Sequence, residues 1–403
     1  MEKVALIADD LTGAMDTGVE LARRGVPTWV LLDPLAAGRF EMNAAAAVAD
    51  TESRNVPEKE AAERVCAFLQ AFEKARIPVI YKKIDSTLRG NLDAELRAVH
   101  GALKPDLILV APALPGSGRT TAGGRHFVNG TPITASDLAK DPFAQVTSDR
   151  IADSLAGLAV REVGLAAVRR GAGALAETFQ GCAGCEAVVA DAETDRDLEI
   201  LDEAAELCGL RVLRCGSAGL FKAMAARTHG AARKREWTAG HGPLLVLSGS
   251  PAQRTKDQIR RAEKSGALLL SLEDGEKAAN DLKAGRSVVV DGAGSGKAEL
   301  VRRFGKDREG LLKASAEVQQ RLCRIAKEAL PYAAGLMIVG GDTALALCRS
   351  LSARALAIES ELEPMVPAGR LVGGAFDGLP VITKAGGLGG LDAIAEAVAR
   401  FGA

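Results

Sequence analysis

Aromatic side chains are scarce in this chain: Phe, Trp and Tyr make up 3% of 403 residues, with two Trp and two Tyr. Single-stranded nucleic-acid binders stack bases on aromatic platforms, so that class is disfavoured. An excess of one charge is also missing. Lys and Arg number 51 against 52 Asp and Glu, a formal net charge of −1, so no global basic field attracts nucleic acid. No apolar run approaches the ~18 residues that cross a bilayer. The first residues enter a strand at once, with no basic stretch ahead of an apolar one. Cysteines number seven, an odd count that does not describe a disulfide framework. The expectation is a cytoplasmic protein with no nucleic-acid or membrane partner; a homodimer stays open. Cys182-Ala183-Gly184-Cys185 has no second pair at zinc spacing. Nor do His100, His126, His229 and His241 cluster in sequence. The cysteines are read as inert thiols.

What is present is an ordinary globular balance, 47% apolar and 26% charged, in a chain long enough for two cores. Short apolar runs alternate with helical periodicity. Strands are expected at Val4–Ala8, Thr28–Leu32, Ala44–Ala49, Pro78–Lys82 and Asp106–Ala111, with helices between them. Residues 121–150 look irregular and long for a passive loop, suiting a functional segment or a small accessory strand pair. A polar, basic, Gly-containing stretch at Thr228–Gly242 marks a boundary. Strands resume at Pro243–Leu247. The expected architecture is α/β with two domains, 1–235 and 242–403. Each is a largely parallel, doubly wound sheet with helices on both faces and ligands at the C-terminal strand edge.

The chemistry-bearing residues sit at those strand ends. Asp9 and Asp10 follow the first strand and precede Thr12-Gly13. One carboxylate could take a proton from an attacking hydroxyl while the other orients substrate or holds a metal ion through water; a plain helix N-cap is the bland alternative. Lys82-Lys83-Ile84-Asp85-Ser86-Thr87-Leu88-Arg89 puts cations, a carboxylate and hydroxyls at another strand end, where Lys and Arg suit a carboxylate or phosphate. Asp50 and Arg54 end a third strand and could converge on the same crevice. Gly116-Ser117-Gly118-Arg119-Thr120-Thr121 resembles an anion nest. In the C-terminal half, Ser248-Gly249-Ser250, Gly340-Gly341-Asp342-Thr343 and Lys384-Ala385-Gly386-Gly387 each follow an apolar strand. Such turns let a phosphate approach backbone and helix N-terminus closely, with Asp342 or Thr343 expected to cap the helix. Asp291-Gly292-Ala293-Gly294-Ser295-Gly296-Lys297-Ala298 imitates a P-loop but lacks the required first Gly and the hydroxyl after Lys; it reads as a strand and a turn. The acidic turns at one end and the glycine turns at the other suggest that one half holds a small acceptor and the other a nucleotide.

Ile7-Ala8-Asp9-Asp10-Leu11-Thr12-Gly13-Ala14, Lys83-Ile84-Asp85-Ser86-Thr87-Leu88-Arg89-Gly90-Asn91 and Ala111-Pro112-Ala113-Leu114-Pro115 resemble the N-terminal half of the four-carbon acid sugar kinases. The Val246–Ser250, Gly340–Thr343 and Thr383–Gly387 segments resemble their nucleotide-binding half. The resemblance implies ATP- and Mg2+-dependent phosphorylation of the 4-hydroxyl of threonate, erythronate or an oxo-tetronate. It further implies Asp9, Asp10 or Asp85 as the base. Asp9, Arg54, Lys82, Lys83, Ile84, Asp85, Ser86 and Arg89 would lie at the acid, with Arg54 and Lys82 or Lys83 neutralising its carboxylate. Ser248, Gly340, Gly341, Asp342, Thr343, Gly386 and Gly387 would lie at ATP. Ketone-acid members tend to have Ser-Gly-Asn-Phe after the last Lys; Ala385-Gly386-Gly387-Leu388 stands here, pointing to the D-aldonates over the 2- and 3-oxo acids. Metal ligands stay unassigned. An NAD-dependent dehydrogenase lacks its GxGxxG after the first strand, and a non-catalytic sensor would be separated by a nucleotide-binding test.

Overall fold

A computed structural model describes residues 3–37, 44–136, 146–182, 184–233 and 237–402. Parts of three expected features, 137–145 of the irregular stretch, Ala183 of the Cys pair and 234–236 of the boundary, lie outside them. The chain folds as two compact units, one of residues 1–26 and 33–233, the other of 27–32 and 234–403.

The first unit holds a seven-stranded, wholly parallel sheet. Its strand order is Ala46–Asp50, Val4–Ala8, Val79–Lys83, Val212–Gly216, Leu107–Ala111, Ala187–Ala190, Val160–Val163. Strands covered by helices on both faces read as continuous apolar runs, and Ala46–Asp50, Leu107–Ala111 and Val212–Gly216 are buried at every residue. The first strand lies between the second and third of this sheet in chain order, so the connections leave it in opposite directions. This is the topological switch point, where a crevice opens at the strand C-termini. The expected accessory strands exist as a three-stranded antiparallel sheet of Arg119–Ala122, Arg125–Val128 and Thr131–Pro132.

The second unit places five parallel strands in the order Leu268–Ser271, Val288–Asp291, Leu244–Ser248, Gly335–Val339, Pro380–Lys384. Its switch point falls between Leu244–Ser248 and Gly335–Val339. An antiparallel edge follows, Pro367–Val372, Ala355–Glu361 and Thr28–Leu31. The last is a correction: sequence order assigns Thr28–Leu32 to the N-terminal domain, but its strand pairs in the second unit. Helical or strand pattern carries no information about which sheet a strand joins. A core of Trp237, Leu244, Val246, Ile259, Met337, Val366, Ile394 and Phe401 packs beneath this sheet. Among the described residues no helix is long and apolar enough to cross a membrane, and the seven cysteines are free thiols.

Candidate functional site

At the switch point of the first unit, Arg54 gathers two carboxylates. Its Nε donates to Asp9 Oδ2 at 2.7 Å, Nη1 to Asp10 Oδ2 at 2.6 Å and Nη2 to Asp10 Oδ1 at 2.8 Å; Asp85 Oδ1 lies 3.9 Å from Nη2. The planar fork of Arg suits this chelation. Asp10 also caps the helix Leu11–Ala22 by accepting from Gly13 N at 2.8 Å, so one carboxylate is both the helix cap and a partner of Arg54. Asp9 is 1% exposed, and its Oδ1 has no hydrogen-bond partner among the described residues. Burial pushes the Asp9 carboxyl up, but Arg54, Lys83 and Lys82 together hold it below the ordinary range. For Asp10, burial, reinforced by the Asp9 charge, outweighs Arg54 and holds its carboxyl above that range. Asp50, buried at the end of the neighbouring strand, is pushed well up by burial and then by Asp10.

Side chains alternate along a strand, and this separates the two lysines. Lys82 turns to the helix Leu92–Leu103, is fully buried and pairs with Glu95 at 2.6 Å. Lys83 turns the other way, against Gly13, where an added Cβ would lie 2.8 Å from its Nζ. Lys82 is thus committed beneath Asp9 and presents no exposed ammonium. Asp85 is held by Arg89 Nε at 2.6 Å and by the Thr87 hydroxyl, and burial's upward push on it is overcome by Arg54 and Arg89. Ile84 is buried, its carbonyl taking Lys83 Nζ at 2.7 Å. Two non-glycine residues, Glu52 at φ 49° and Leu88 at φ 58°, adopt left-handed backbone in the loops that carry Arg54 and Arg89, a strain of the kind that collects at functional sites. Asn91 links these loops by donating to the carbonyls of Ser53 and Val56 at 2.7 and 2.8 Å.

Sequence reasoning passed over His126. Its Nε2 must donate to the Ser86 carbonyl at 2.8 Å, which leaves Nδ1 to accept from Thr121 at 3.1 Å. The small sheet is thereby pinned to the Lys83–Asn91 loop. Burial depresses this imidazole to about 4 from 6.5, so the fold binds it neutral. A folded value below the unfolded one means stability that is present above pH 6.5 and drains as pH falls toward 4, worth about 3 kcal/mol. Thr121, the Ser86 carbonyl, Arg119 and Asp85 are the groups that face it. Urea unfolding of the protein and of His126→Gln at pH 7 and pH 4 should show the unsubstituted chain losing that much more than the variant.

In the second unit the glycine turns meet one another. Gly292 N donates to Ser248 O at 2.7 Å, Gly249 N to Val339 O at 3.1 Å and Gly340 N to Lys384 O at 2.8 Å. A Cβ on Gly249 would stand 2.1 Å from Thr343 Oγ1, and one on Gly386 1.9 Å from Ser250 Oγ, so these turns touch only because the side chains are missing. Helices start at Gln253, Ser295 and Gly341, and no side chain caps any of them. The cap of the last is Gly340 at φ 115°. Asp342 and Thr343 therefore lie inside its first turn, correcting the expectation that one of them caps it. Ser248 is wholly buried and its Oγ lacks a partner among the described residues. Lys384 Nζ donates to the carbonyls of Ala385, Gly386 and Leu388 at 2.8, 3.2 and 2.9 Å, holding the last glycine turn closed; Gly387 lies within that turn. Burial lowers Lys384 to about 8, with Glu363 opposing.

The rejected P-loop imitation also belongs here. Its strand, Val288–Asp291, is the neighbour of Leu244–Ser248, and the turn leads directly into the helix Ser295–Phe304. Lys297 on that helix is half-buried and feels the charge of Asp342. The signal was the lone Lys at a Gly-rich helix start, which the strict P-loop spacing excludes.

These features define a two-unit α/β protein with carboxylates and cations gathered at one switch point and converging glycine turns at the other. Residues 4–224 match the family model described as a sugar-binding N-terminal domain, and residues 245–394 that of a nucleotide-binding C-terminal domain. The chain is 34% identical to a D-threonate kinase of Salmonella typhimurium, over 98% of this chain and 97% of that one. It is likewise 34% identical to a D-erythronate kinase of Heliobacterium modesticaldum, over 99% and 97%. A solved Haemophilus influenzae structure shares the fold, with a TM-score of 0.77 at 24% identity over 99% of this chain and 100% of that one. The chain belongs to the four-carbon acid sugar kinase family.

Proposed function

We propose that this protein transfers the γ-phosphoryl group of ATP to the 4-hydroxyl of a four-carbon sugar acid, D-threonate or D-erythronate ahead of their 2- and 3-oxo relatives. The observation that carries the reading is Arg54 clamping Asp9 and Asp10 at a switch point while Asp9 Oδ1 stays buried and unsatisfied. A buried acceptor without a partner is costly, and the acceptor hydroxyl is the donor that would satisfy it. Asp9, kept ionised by its cations, then orients that hydroxyl and takes its proton late, as a loose phosphoryl transfer requires. Asp10 and Arg54 keep Asp9 in place.

The second unit fits a nucleotide. Uncapped helix starts offer N–H groups to phosphate oxygens, Gly249 and Gly386 let the three turns close on one another, and Ser248 Oγ is the orphan that a phosphate or ribose oxygen would pair. ATP supplies the phosphoryl group, and Mg2+ neutralises charge on its phosphates. The ion would arrive with the phosphates, and Asp342, in the first turn of the helix that follows Gly340, is a carboxylate that could meet it. Lys297 supplies the missing cation. Lys297→Ala should raise the KM for ATP by ~10–100-fold, the worth of one charge-assisted hydrogen bond, and leave the KM for the acid unchanged.

The test is ADP release from ATP and Mg2+ with D- and L-threonate, D- and L-erythronate and their 2- and 3-oxo relatives, with NMR to locate the new phosphate. A phosphate on C4 of one acid supports the reading and names the substrate. ATP binding without turnover of any acid means that the acceptor class is wrong. A chain that binds no ATP is not this kinase.

A further inference from the structure

A four-carbon acid differs from a neutral polyol by its carboxylate, so a site that selects the acid needs a cation with donors to spare. The first unit has few. Each nitrogen of Arg54 already serves a carboxylate, Asp9 or Asp10, and these bonds together with the nearby Asp85 fix its guanidinium among three negative charges. Lys82 is spent on Glu95 and the Lys83 carbonyl. Arg89 Nε serves Asp85 and Thr87. Lys83 lies between Gly13 and the Ile84 carbonyl, close to the two carboxylates whose charge it offsets.

Arg119 is different. Its Nε is buried and has no hydrogen-bond partner among the described residues, and its Nη1 makes only a long contact, 3.4 Å, to the Ser117 carbonyl. The backbone beneath it is firmly placed. Arg119 N donates to Leu114 O at 3.2 Å and Leu114 N to Arg119 O at 2.9 Å, and two residues on Thr121 exchanges backbone bonds with Ala192. The same small sheet grips the Ser86 carbonyl through His126. The side chain thus stands on a rigid platform tied to the Lys83–Asn91 loop, within the field of Asp85, Arg89 and Asp16. Burying a guanidinium N–H without an acceptor is expensive, and that cost makes sense in a group whose acceptor arrives with the ligand.

We propose that Arg119 seats the carboxylate of the acceptor and is the residue that distinguishes the sugar acid from the neutral polyol. This rests on the kinase reading above for the identity of the acid, but its test does not need turnover. Calorimetric binding of D-threonate, D-erythronate and the neutral tetritols, without ATP, is measured on the full chain and on Arg119→Met and Arg119→Lys. KM values for acid and ATP and thermal melting are measured beside it. The expected result is acid affinity falling by ~10²-fold or more in Arg119→Met, as a lost guanidinium–carboxylate pair implies. Tetritol affinity and the KM for ATP should stay within about twofold. Arg119→Lys should recover only part of the acid binding, since the bidentate fork is gone.

Unchanged acid affinity in Arg119→Met overturns the proposal and leaves the kinase reading standing. Equal losses for acid and tetritol also overturn it, because Arg119 would then only shape the loop. Acid bound by the unsubstituted chain, lost in the variant but never phosphorylated, supports Arg119 while sinking the kinase. A native chain that binds neither acid overturns both.

Discussion

Arg54→Ala should lower kcat/KM for the acid by ~10³-fold or more, with kcat carrying most of the loss. Removing one preorganised donor from a catalytic site costs about 10²–10³, and Arg54 supplies three donors to two carboxylates. The loss is not a matter of contact alone. Asp9 is held low by Arg54 ahead of Lys83 and Lys82, against burial that pushes it up. Without the guanidinium its carboxyl rises, and so does that of Asp10, which burial and Asp9 already hold above normal. An acceptor that must be ionised therefore needs a higher pH. The acid limb of the kcat profile should move to higher pH in the variant, and raising the pH should recover part of the lost rate. A merely structural role for Arg54 would depress the profile without moving it. Arg54→Lys should fare little better than Ala, because an ammonium cannot chelate Asp10 and reach Asp9 together. An unshifted profile with nearly full activity would remove Arg54 and its two carboxylates from the mechanism.

Much of this site was legible because its residues sit next to strands in sequence. Asp9 and Asp10, Arg54, and Lys83 to Arg89 each follow an apolar run, and in a parallel sheet every strand end reaches the same edge. The glycine turns of the second unit were legible for the same reason. What sequence could not show was direction. Lys82 and Lys83 look interchangeable as letters, yet the two-residue period of the strand sends one to Glu95 and the other to Gly13. Arg119 and His126 lie in a segment without periodicity; Arg119 feels the charge of Asp85, 34 residues away, and His126 bonds the Ser86 carbonyl, 40 residues away. Lys297 is easily passed over in sequence because the residues around it break P-loop spacing, although it stands at a glycine-rich helix start. The membership of Thr28–Leu31 in the second sheet was illegible for a further reason. Its pairing with Ala355–Glu361 spans more than 300 residues, and a four-residue strand carries no register signal strong enough to name its partner.

Glu95→Leu should destabilise the first unit by about 3–5 kcal/mol, because it strands the Lys82 ammonium in a fully buried site. Lys82→Met should cost less near neutral pH, since Glu95 can take up a proton instead. Burial already raises its carboxyl, with Lys82 opposing that rise. The two variants should respond to pH in opposite senses. In Lys82→Met the folded Glu95 value climbs further above the unfolded one, so its deficit shrinks as pH falls toward about 4.3. In Glu95→Leu the attraction that raises Lys82 against burial is gone. Its folded value drops below about 10.4, and the deficit shrinks as pH rises toward that value. The double variant Lys82→Met/Glu95→Leu should fold within about 1–2 kcal/mol of the unsubstituted chain, since an apolar pair can replace a buried ion pair. Its activity should not return in step. Lys82 is one of the cations that keep Asp9 ionised, and methionine cannot replace that charge. Urea unfolding gives the stability cycle, and the kcat profile should show the acid limb displaced to higher pH in the refolded double variant. A double variant that is stable, fully active and unshifted would reduce Lys82 to a structural strut; one that is stable but shifted would make the buried pair part of how the site keeps its base ready.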